Sequence, residues 1–214
     1  MDMEKHLRFV VTRDSAERFL EILEKKPQEC EGEIETMVVN GSQAPYRNGF
    51  DEEREWLFVC FHEQEAKQMA EWFPLTPEQQ KHVICLEGYV GKHYFNNCIR
   101  SLQPVETSLL QILNMLFVFG VVNLDYYDFQ QMVRGTENFI NSFYDESERV
   151  KAMLDYFLSC NKAQDCLVNL FGDFDMRDAM DIGDIVGRYE NALLGAAPED
   201  TQSGKMGIMV IYNA

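Results

Sequence analysis

The chain has 214 residues, of which 46% are hydrophobic and 12% aromatic, so its composition is that of a folded protein and excludes a disordered one. Its formal net charge is −17. Acidic residues occur in both halves, and a surface of this charge repels phosphate, which argues against nucleic acid and anionic lipid as partners. We expect protein partners and no direct membrane insertion.

The cysteines and histidines show no ligand pattern. None of the six cysteines forms a pair at CxxC spacing, and the four histidines are isolated in the sequence. We therefore predict no metal site and no cofactor. The N-terminal residues lack the charged-then-apolar pattern of a signal peptide. A reduced, cytoplasmic protein is expected.

The first half alternates β-rich and amphipathic segments. Four strands are predicted, at residues 6–12, 32–42, 54–61 and 82–90. Two helices are predicted between them, at residues 15–26 (ended by Pro27) and 63–73, and a polar loop at 43–54. Strands that alternate with helices at these lengths favour a parallel, doubly wound sheet.

The turns that follow these strands lack a phosphate-binding sequence. Doubly wound sheets bind phosphates on glycine-rich turns that open helices. Here the turns are residues 12–15, 40–42 and 61–64; none is glycine-rich, and the acidic side chains within them would repel phosphate. Gly88 and Gly91 are the nearest approach to such a loop. We interpret the first half as a Rossmann-like domain without its binding residues.

An apolar stretch with helical spacing, residues 105–122, joins the two halves. Pro104 and Glu106 mark its start, since proline and acidic residues favour the first turn of a helix. Polar residues inside the stretch leave it short of a membrane span. We predict a central core helix between a domain of residues 1–104 and a domain of residues 123–214.

The second half is predicted to be an α+β unit. Its predicted elements are a helix capped by Asn123 or Asp125 that runs through residues 129–135, helices at 145–160 and 175–195, and strands at 165–174 and 206–213. Residues 137–144 fit either a strand or a further turn, and Gly195 is the expected end of the third helix.

Three segments of this half resemble the tubulin/FtsZ family. Residues 123–128, Asn-Leu-Asp-Tyr-Tyr-Asp, keep the Asn-x-Asp-x-x-Asp pattern of the family's loop after the core helix. Residues 167–176 are similar to its Leu-Val-Asn strand and turn, and residues 209–211 to its last strand. The resemblance is more specific over residues 105–214 than over residues 6–90. It implies an α/β fold, with a shortened Rossmann-like parallel-sheet domain joined by a central helix to an α+β FtsZ-type C-terminal domain.

The chain lacks the sequences with which the family binds its nucleotide. Where the family has its glycine-rich signature, residues 61–67 read Phe-His-Glu-Gln-Glu-Ala-Lys, and residues 40–42 replace its Asn-Thr-Asp. The segment between the fourth strand and the core helix is also shorter than in the family. The resemblance therefore implies a non-catalytic protein. It would bind or regulate a filament-forming GTPase, or self-associate, by donating Asn123, Asp125 and Asp128 to a neighbour's nucleotide.

Alternative interpretations remain at this point. Asn123, Asp125 and Asp128 also fit a helix cap with solvated carboxylates. The alternative functions are an active GTP-binding FtsZ-like cell-division GTPase with an atypical site at turns 12–15, 61–66 and 88–92, and a self-associating structural protein. The aspartates from Asp173 to Asp184 fit helix capping better than a cation site. His62, near Cys60, fits a surface turn better than a catalytic Cys–His pair, and Cys60 fits a small core residue.

Overall fold

The computed structural model describes residues 6–26, 33–41, 55–118, 120, 122–198 and 204–213. The predicted loop at 43–54 and the predicted helix end at Pro27 lie outside these residues. The strands are β1 (His6–Thr12), β2 (Glu33–Val39), β3 (Glu55–Cys60), β4 (Val83–Glu87), β5 (Cys98–Ser101), β6 (Asn138–Asp145), β7 (Asp165–Gly172), β8 (Asn191–Pro198) and β9 (Met206–Asn213). The α-helices are α1 (Ala16–Leu23), α2 (Glu63–Trp72), α3 (Val105–Phe117), α4 (Tyr126–Met132), α5 (Ser147–Cys160) and α6 (Met176–Val186).

The nine strands form one sheet in the order β2-β1-β3-β4-β5-β6-β9-β7-β8. Neighbouring strands are parallel except where β9 lies antiparallel between β6 and β7. This mostly parallel sheet with helices confirms the predicted α/β class. Both predicted domains, 1–104 and 123–214, contribute strands to the sheet, and the division between them stays a prediction.

Helices cover both faces of the sheet, which explains why strands such as β4 and β9 are buried along nearly their whole length. One face packs against α1, α3 and α4, and the other against α2, α5 and α6. The central helix α3 shares its cluster with Leu57 and Ile84 of the first half and with Leu167 and Ile211 of the second. It therefore packs across the junction of the two halves.

The central helix is shorter than predicted. It ends at Phe117 and not at residue 122, because Val118 is already extended and Val122 forms an antiparallel bridge with Ala196 of β8. Gly120 lies so close to the Ala196 carbonyl that a Cβ would overlap it. Pairing with β8 therefore ends the helix and directs the chain toward α4.

The predicted helix at 175–195 is also wrong in its second half. Helix α6 ends at Val186, and residues 191–198 form β8, which pairs with β7 along eight residues. Gly195 is a strand residue whose Cα faces the Asn169 side chain. The short strand β5 was not predicted, whereas residues 137–144, left as strand or turn, belong to strand β6. No helix in the described ranges combines the length and apolar composition needed to cross a bilayer.

Candidate functional site

The loop of residues 122–128, which includes the first turn of α4, contacts the N-terminal end of β3. Leu124 is buried, and the Tyr126 hydroxyl donates a hydrogen bond to the Trp56 carbonyl at 2.8 Å. Phe129 packs edge to face on Tyr126 and is also buried. Leu124, Tyr126 and Phe129 therefore anchor this segment in the core, while its polar residues stay nearer the surface.

Asp125 and Asp128 form a reciprocal capping box. The Asp128 backbone N–H donates to Asp125 Oδ1 at 2.8 Å, and the Asp125 N–H donates to Asp128 Oδ2 at 3.2 Å. This arrangement satisfies two backbone donors at the start of α4. The predicted cap at Asp125 is confirmed, and one oxygen of each carboxylate is used in it.

Asn123 holds the turn that precedes the cap. Its Oδ1 accepts a hydrogen bond from the Gly120 backbone N–H at 2.7 Å. Asn123 and Asp125 are exposed, and Asp128 is half-buried. The structure thus brings the three residues of the Asn-x-Asp-x-x-Asp pattern into one short surface loop. Val122 and Tyr127 beside them are 45% and 65% exposed, which places large apolar side chains on the same surface.

The start of α6 repeats the capping box without the rest of the pattern. The Asp178 N–H donates to Asp175 Oδ1 at 2.8 Å, and the Asp175 N–H donates to Asp178 Oδ2 at 3.1 Å. Capping alone therefore accounts for an Asp-x-x-Asp sequence in this chain. The copy at α6 supplies a matched control for any further role of the copy at α4.

Helix α4 contributes to the walls of two surface cavities. One, of about 470 Å³, is lined by Lys81, His82 and Arg134 together with amide side chains. The other, of about 560 Å³, is lined partly by acidic residues, Asp128 among them. The Gln130 side chain joins α4 to this edge of the sheet by donating to the Lys81 carbonyl at 2.6 Å. The loop thus lies on an indented surface that carries charges of both signs.

The opposite end of the strands contains the place where this topology binds anionic ligands. In the order β2-β1-β3-β4 the chain reverses direction across the sheet between β1 and β3. Doubly wound folds bind ligands in the crevice beyond the carboxyl ends of the strands at this point, next to a helix N-terminus. Here the crevice is bordered by Thr12, Ser15 and the start of α2.

The carboxylate of Glu65 fills this crevice. Its Oε2 accepts hydrogen bonds from the backbone N–H groups of Phe61 and His62, at 2.7 and 3.0 Å. Its Oε1 accepts from the hydroxyls of Thr12, at 3.0 Å, and Ser15. Glu65 is only 6% exposed. The donors that would hold a phosphate oxygen are therefore bound to an anion from the protein itself.

Further side chains surround this crevice. Arg18 stacks over the Phe61 ring, 4.3 Å from its centroid, and pairs with Glu106 of α3. The loop of residues 88–97 lies against the turn between β3 and α2, where the Tyr94 hydroxyl donates to Glu63 Oε1 at 3.3 Å. Gly91 of this loop is so close to Glu63 that a Cβ there would overlap the carboxylate.

The remaining candidate residues, Cys60 and the aspartates of α6, are either buried or paired with other side chains. Cys60 is fully buried, and burial raises the pKa of its thiol, which disfavours the thiolate that a nucleophile needs. Among the aspartates of α6, Asp178 pairs with Lys151 at 2.9 Å. Burial opposes ionisation of Asp178, but hydrogen bonds from Ser147, Lys151 and the Asp175 N–H hold its pKa below the usual value. The Lys151 ammonium therefore pairs with two of these aspartates, Asp178 and Asp181.

No family model matches the chain, and a search of curated proteins finds no relative. The fold does have similar solved structures. CetZ from Methanosaeta thermophila strain DSM 6194 aligns with a TM-score of 0.58 at 8% identity, over 99% of this chain and 86% of that one. GDP-bound CetZ1 from Haloferax volcanii aligns with a TM-score of 0.51 at 9% identity, over 97% and 93%. TubZ-Bt from a four-stranded filament aligns with a TM-score of 0.50 at 8% identity, over 99% of this chain and 86% of that one.

CetZ and TubZ are tubulin/FtsZ-family proteins. The chain therefore has the tubulin/FtsZ-like fold, and the resemblance drawn from its sequence is confirmed at the level of the fold. Identities near one residue in ten carry no information on activity, so the function has to be argued from the chain's own residues.

Proposed function

We propose that this protein is a non-catalytic tubulin/FtsZ-like subunit that binds a filament-forming GTPase of the same fold, or another copy of itself, through the loop of Asn123, Asp125 and Asp128. The observation that carries the proposal is an asymmetry between the two ends of the sheet. At one end the polar loop is exposed. At the other, Glu65 occupies the crevice in which a nucleotide phosphate would bind.

The geometry of the loop supports a docking role. Its capping box uses one oxygen of Asp125 and one of Asp128, and its anchors Leu124 and Tyr126 fix the backbone on the sheet. Exposed Val122 and Tyr127 add apolar contact area, and aromatic side chains are enriched at protein interfaces. A carboxylate on such a loop can orient water at a phosphate that a neighbouring subunit holds.

The two ends imply a direction of assembly. A subunit that offers the loop and lacks a phosphate site engages a neighbour at one end only. Such a subunit joins a filament terminus and stops further addition there. Similarity to filament-forming TubZ-Bt makes self-association a second arrangement for the same loop.

The test is a titration of a filament-forming tubulin/FtsZ-like GTPase from the same organism. We expect sub-stoichiometric amounts of this protein to change the GTPase rate and reduce sedimentable polymer. Asp125→Ala should abolish both effects, and Asp175→Ala, which removes the matching cap on α6, should retain them. If the two variants affected the GTPase rate and the polymer equally, the loop would serve only as a helix cap. Without any effect or co-sedimentation, sedimentation velocity of the chain alone decides whether it self-associates.

The competing function, an active GTPase, is tested by GTP binding to the chain itself. The proposal predicts no saturable binding at micromolar GTP, because the backbone donors at Phe61 and His62 already bind Glu65. Saturable binding with turnover would replace the proposal with that alternative.

A further inference from the structure

Three side chains with metal-binding atoms converge at the carboxyl end of β4. Glu87 is the last residue of β4, Cys98 is the first of β5, and His93 lies in the loop between them. One ligand atom from each lies within 4.8 Å of the others. The closest pair is His93 Nδ1 and Glu87 Oε2, at 2.7 Å. The proposed function uses none of these residues.

Burial makes this cluster unusual. Glu87 and Cys98 are completely buried, and the His93 side chain is 20% exposed. A buried carboxylate is unfavourable unless cations and hydrogen-bond donors compensate its charge. Glu87 has two polar partners, the Tyr89 hydroxyl, which donates to Oε1 at 3.0 Å, and His93 Nδ1, which lies 2.7 Å from Oε2.

We propose that Glu87, His93 and Cys98 form a zinc site. A carboxylate oxygen, an imidazole nitrogen and a thiolate sulfur are the three ligand types that Zn²⁺ accepts, whereas the sulfur disfavours Mg²⁺ and Ca²⁺. The carboxylate and the thiolate together balance the charge of the ion. Three protein ligands leave a fourth position for water on the side where His93 is exposed.

The surroundings supply the second shell that such a site needs. With Glu87 Oε2 directed to the metal, its Oε1 keeps the hydrogen bond from Tyr89. In the structure Arg100 Nη2 lies 3.1 Å from His93 Nε2, so His93 Nδ1 carries the ring proton and donates it to Glu87. Metal binding at Nδ1 moves that proton to Nε2 and turns Arg100 away. It also separates Nδ1 from Oε2 to about 3.3 Å, the spacing of two tetrahedral ligands about 2.0 Å from zinc.

The site would fasten the loop of residues 88–97. This loop connects β4 to β5 and packs on the turn between β3 and α2 through Tyr94 and Gly91. An ion shared by both ends of the loop and by His93 in its middle would add a cross-link to a loop that Phe95 already anchors in the core, with its ring centroid 5.0 Å from that of Phe58.

Cobalt substitution tests the site on the full chain. After chelation, we expect Co²⁺ to bind at one equivalent, with visible bands of tetrahedral intensity and a thiolate charge-transfer band in the near ultraviolet. Zn²⁺ should displace it. Cys98→Ser should remove the charge-transfer band. His93→Gln, at a partly exposed position, should weaken Zn²⁺ binding at least tenfold while circular dichroism confirms the fold.

Two control variants remove the same kinds of side chain outside the proposed site. Cys166→Ser removes another buried thiol and His82→Gln another imidazole, and both should bind cobalt like the parent. The inference is overturned if no signal saturates at one equivalent, if the charge-transfer band survives Cys98→Ser, or if folded His93→Gln binds Zn²⁺ as tightly as the parent.

Discussion

Glu65 Oε2 lies 2.7 Å from the backbone nitrogen of Phe61, so a residue in the first turn of α2 also closes the crevice between β1 and β3. The same carboxylate is bound by Thr12, which is 53 residues away in the chain. One side chain therefore ties three segments together at the point where the fold would otherwise accept an anion.

Replacing Glu65 by alanine should destabilise the protein by about 2–4 kcal/mol, because buried N–H and O–H donors lose a charged acceptor. Denaturant unfolding measures this loss. Inorganic phosphate should restore part of the stability of the variant by binding the freed donors, and should leave the parent unchanged. Glu63→Ala, at the exposed neighbouring position, is the control. Equal phosphate effects on parent and variant would contradict a crevice filled by Glu65.

Removing either capping box should cost a similar amount of stability. Asp125→Ala and Asp175→Ala each delete an N-cap with hydrogen bonds of nearly the same length, and we expect each to lose about 1 kcal/mol in urea unfolding. Similar losses would make their functional comparison a fair one. A far larger loss for Asp125→Ala would show that the loop supports the fold beyond capping α4.

Lys151 joins α5 to α6 and should make stability sensitive to acid. It lies 2.9 Å from Asp178 and 2.7 Å from Asp181. Because the pKa of Asp178 is lowered in the folded state, its contribution is complete above the unfolded value of about 4 and is lost as pH falls through the folded value.

Lys151→Met should therefore cost about 1–2 kcal/mol at pH 7. Urea unfolding of parent and variant should show this difference unchanged down to about pH 5 and shrinking below about pH 4. Lys67→Met, at an exposed position of α2, should change stability little at any pH. A difference that grew on acidification would contradict the assigned pairing.

Two glycines should respond to alanine in opposite directions. A Cβ at Gly195 would lie 2.5 Å from Asn169 Oδ1 and 2.7 Å from Leu124 Cδ1, so Gly195→Ala should destabilise by about 1–3 kcal/mol and displace the Leu124 anchor. At Gly183 in α6 the nearest atom is 3.7 Å away, and Gly183→Ala should stabilise by about 0.5–1 kcal/mol. Thermal unfolding of the two variants should show a lower melting temperature for Gly195→Ala and a higher one for Gly183→Ala.

Local chemistry explains which elements the sequence predicts well. The cap at Asp125 depends on a residue three positions later, and the strand at 206–213 depends on a continuous apolar run. Both features can therefore be predicted from neighbouring residues. Strand β8 cannot be predicted in this way, because Ala192, Leu193 and Leu194 favour a helix and form a strand only by pairing with β7.

The candidate sites follow the same division. The loop at Asn123 to Asp128 is contiguous and was found. The role of Glu65 depends on hydroxyls 50 and 53 residues away, so no pattern along the chain predicts it. Glu87, His93 and Cys98 have spacings of no familiar metal motif, so only the turn between β4 and β5 brings them together.

The position of β9 has a consequence for how the chain folds during synthesis. This strand is translated after every other strand described, yet it lies between β6 and β7 and pairs with both. Until Met206–Asn213 leaves the ribosome, each of those strands presents an unpaired edge. Such edges are templates for wrong partners. The sheet of the nascent chain thus stays open in its middle, and a single late segment closes it.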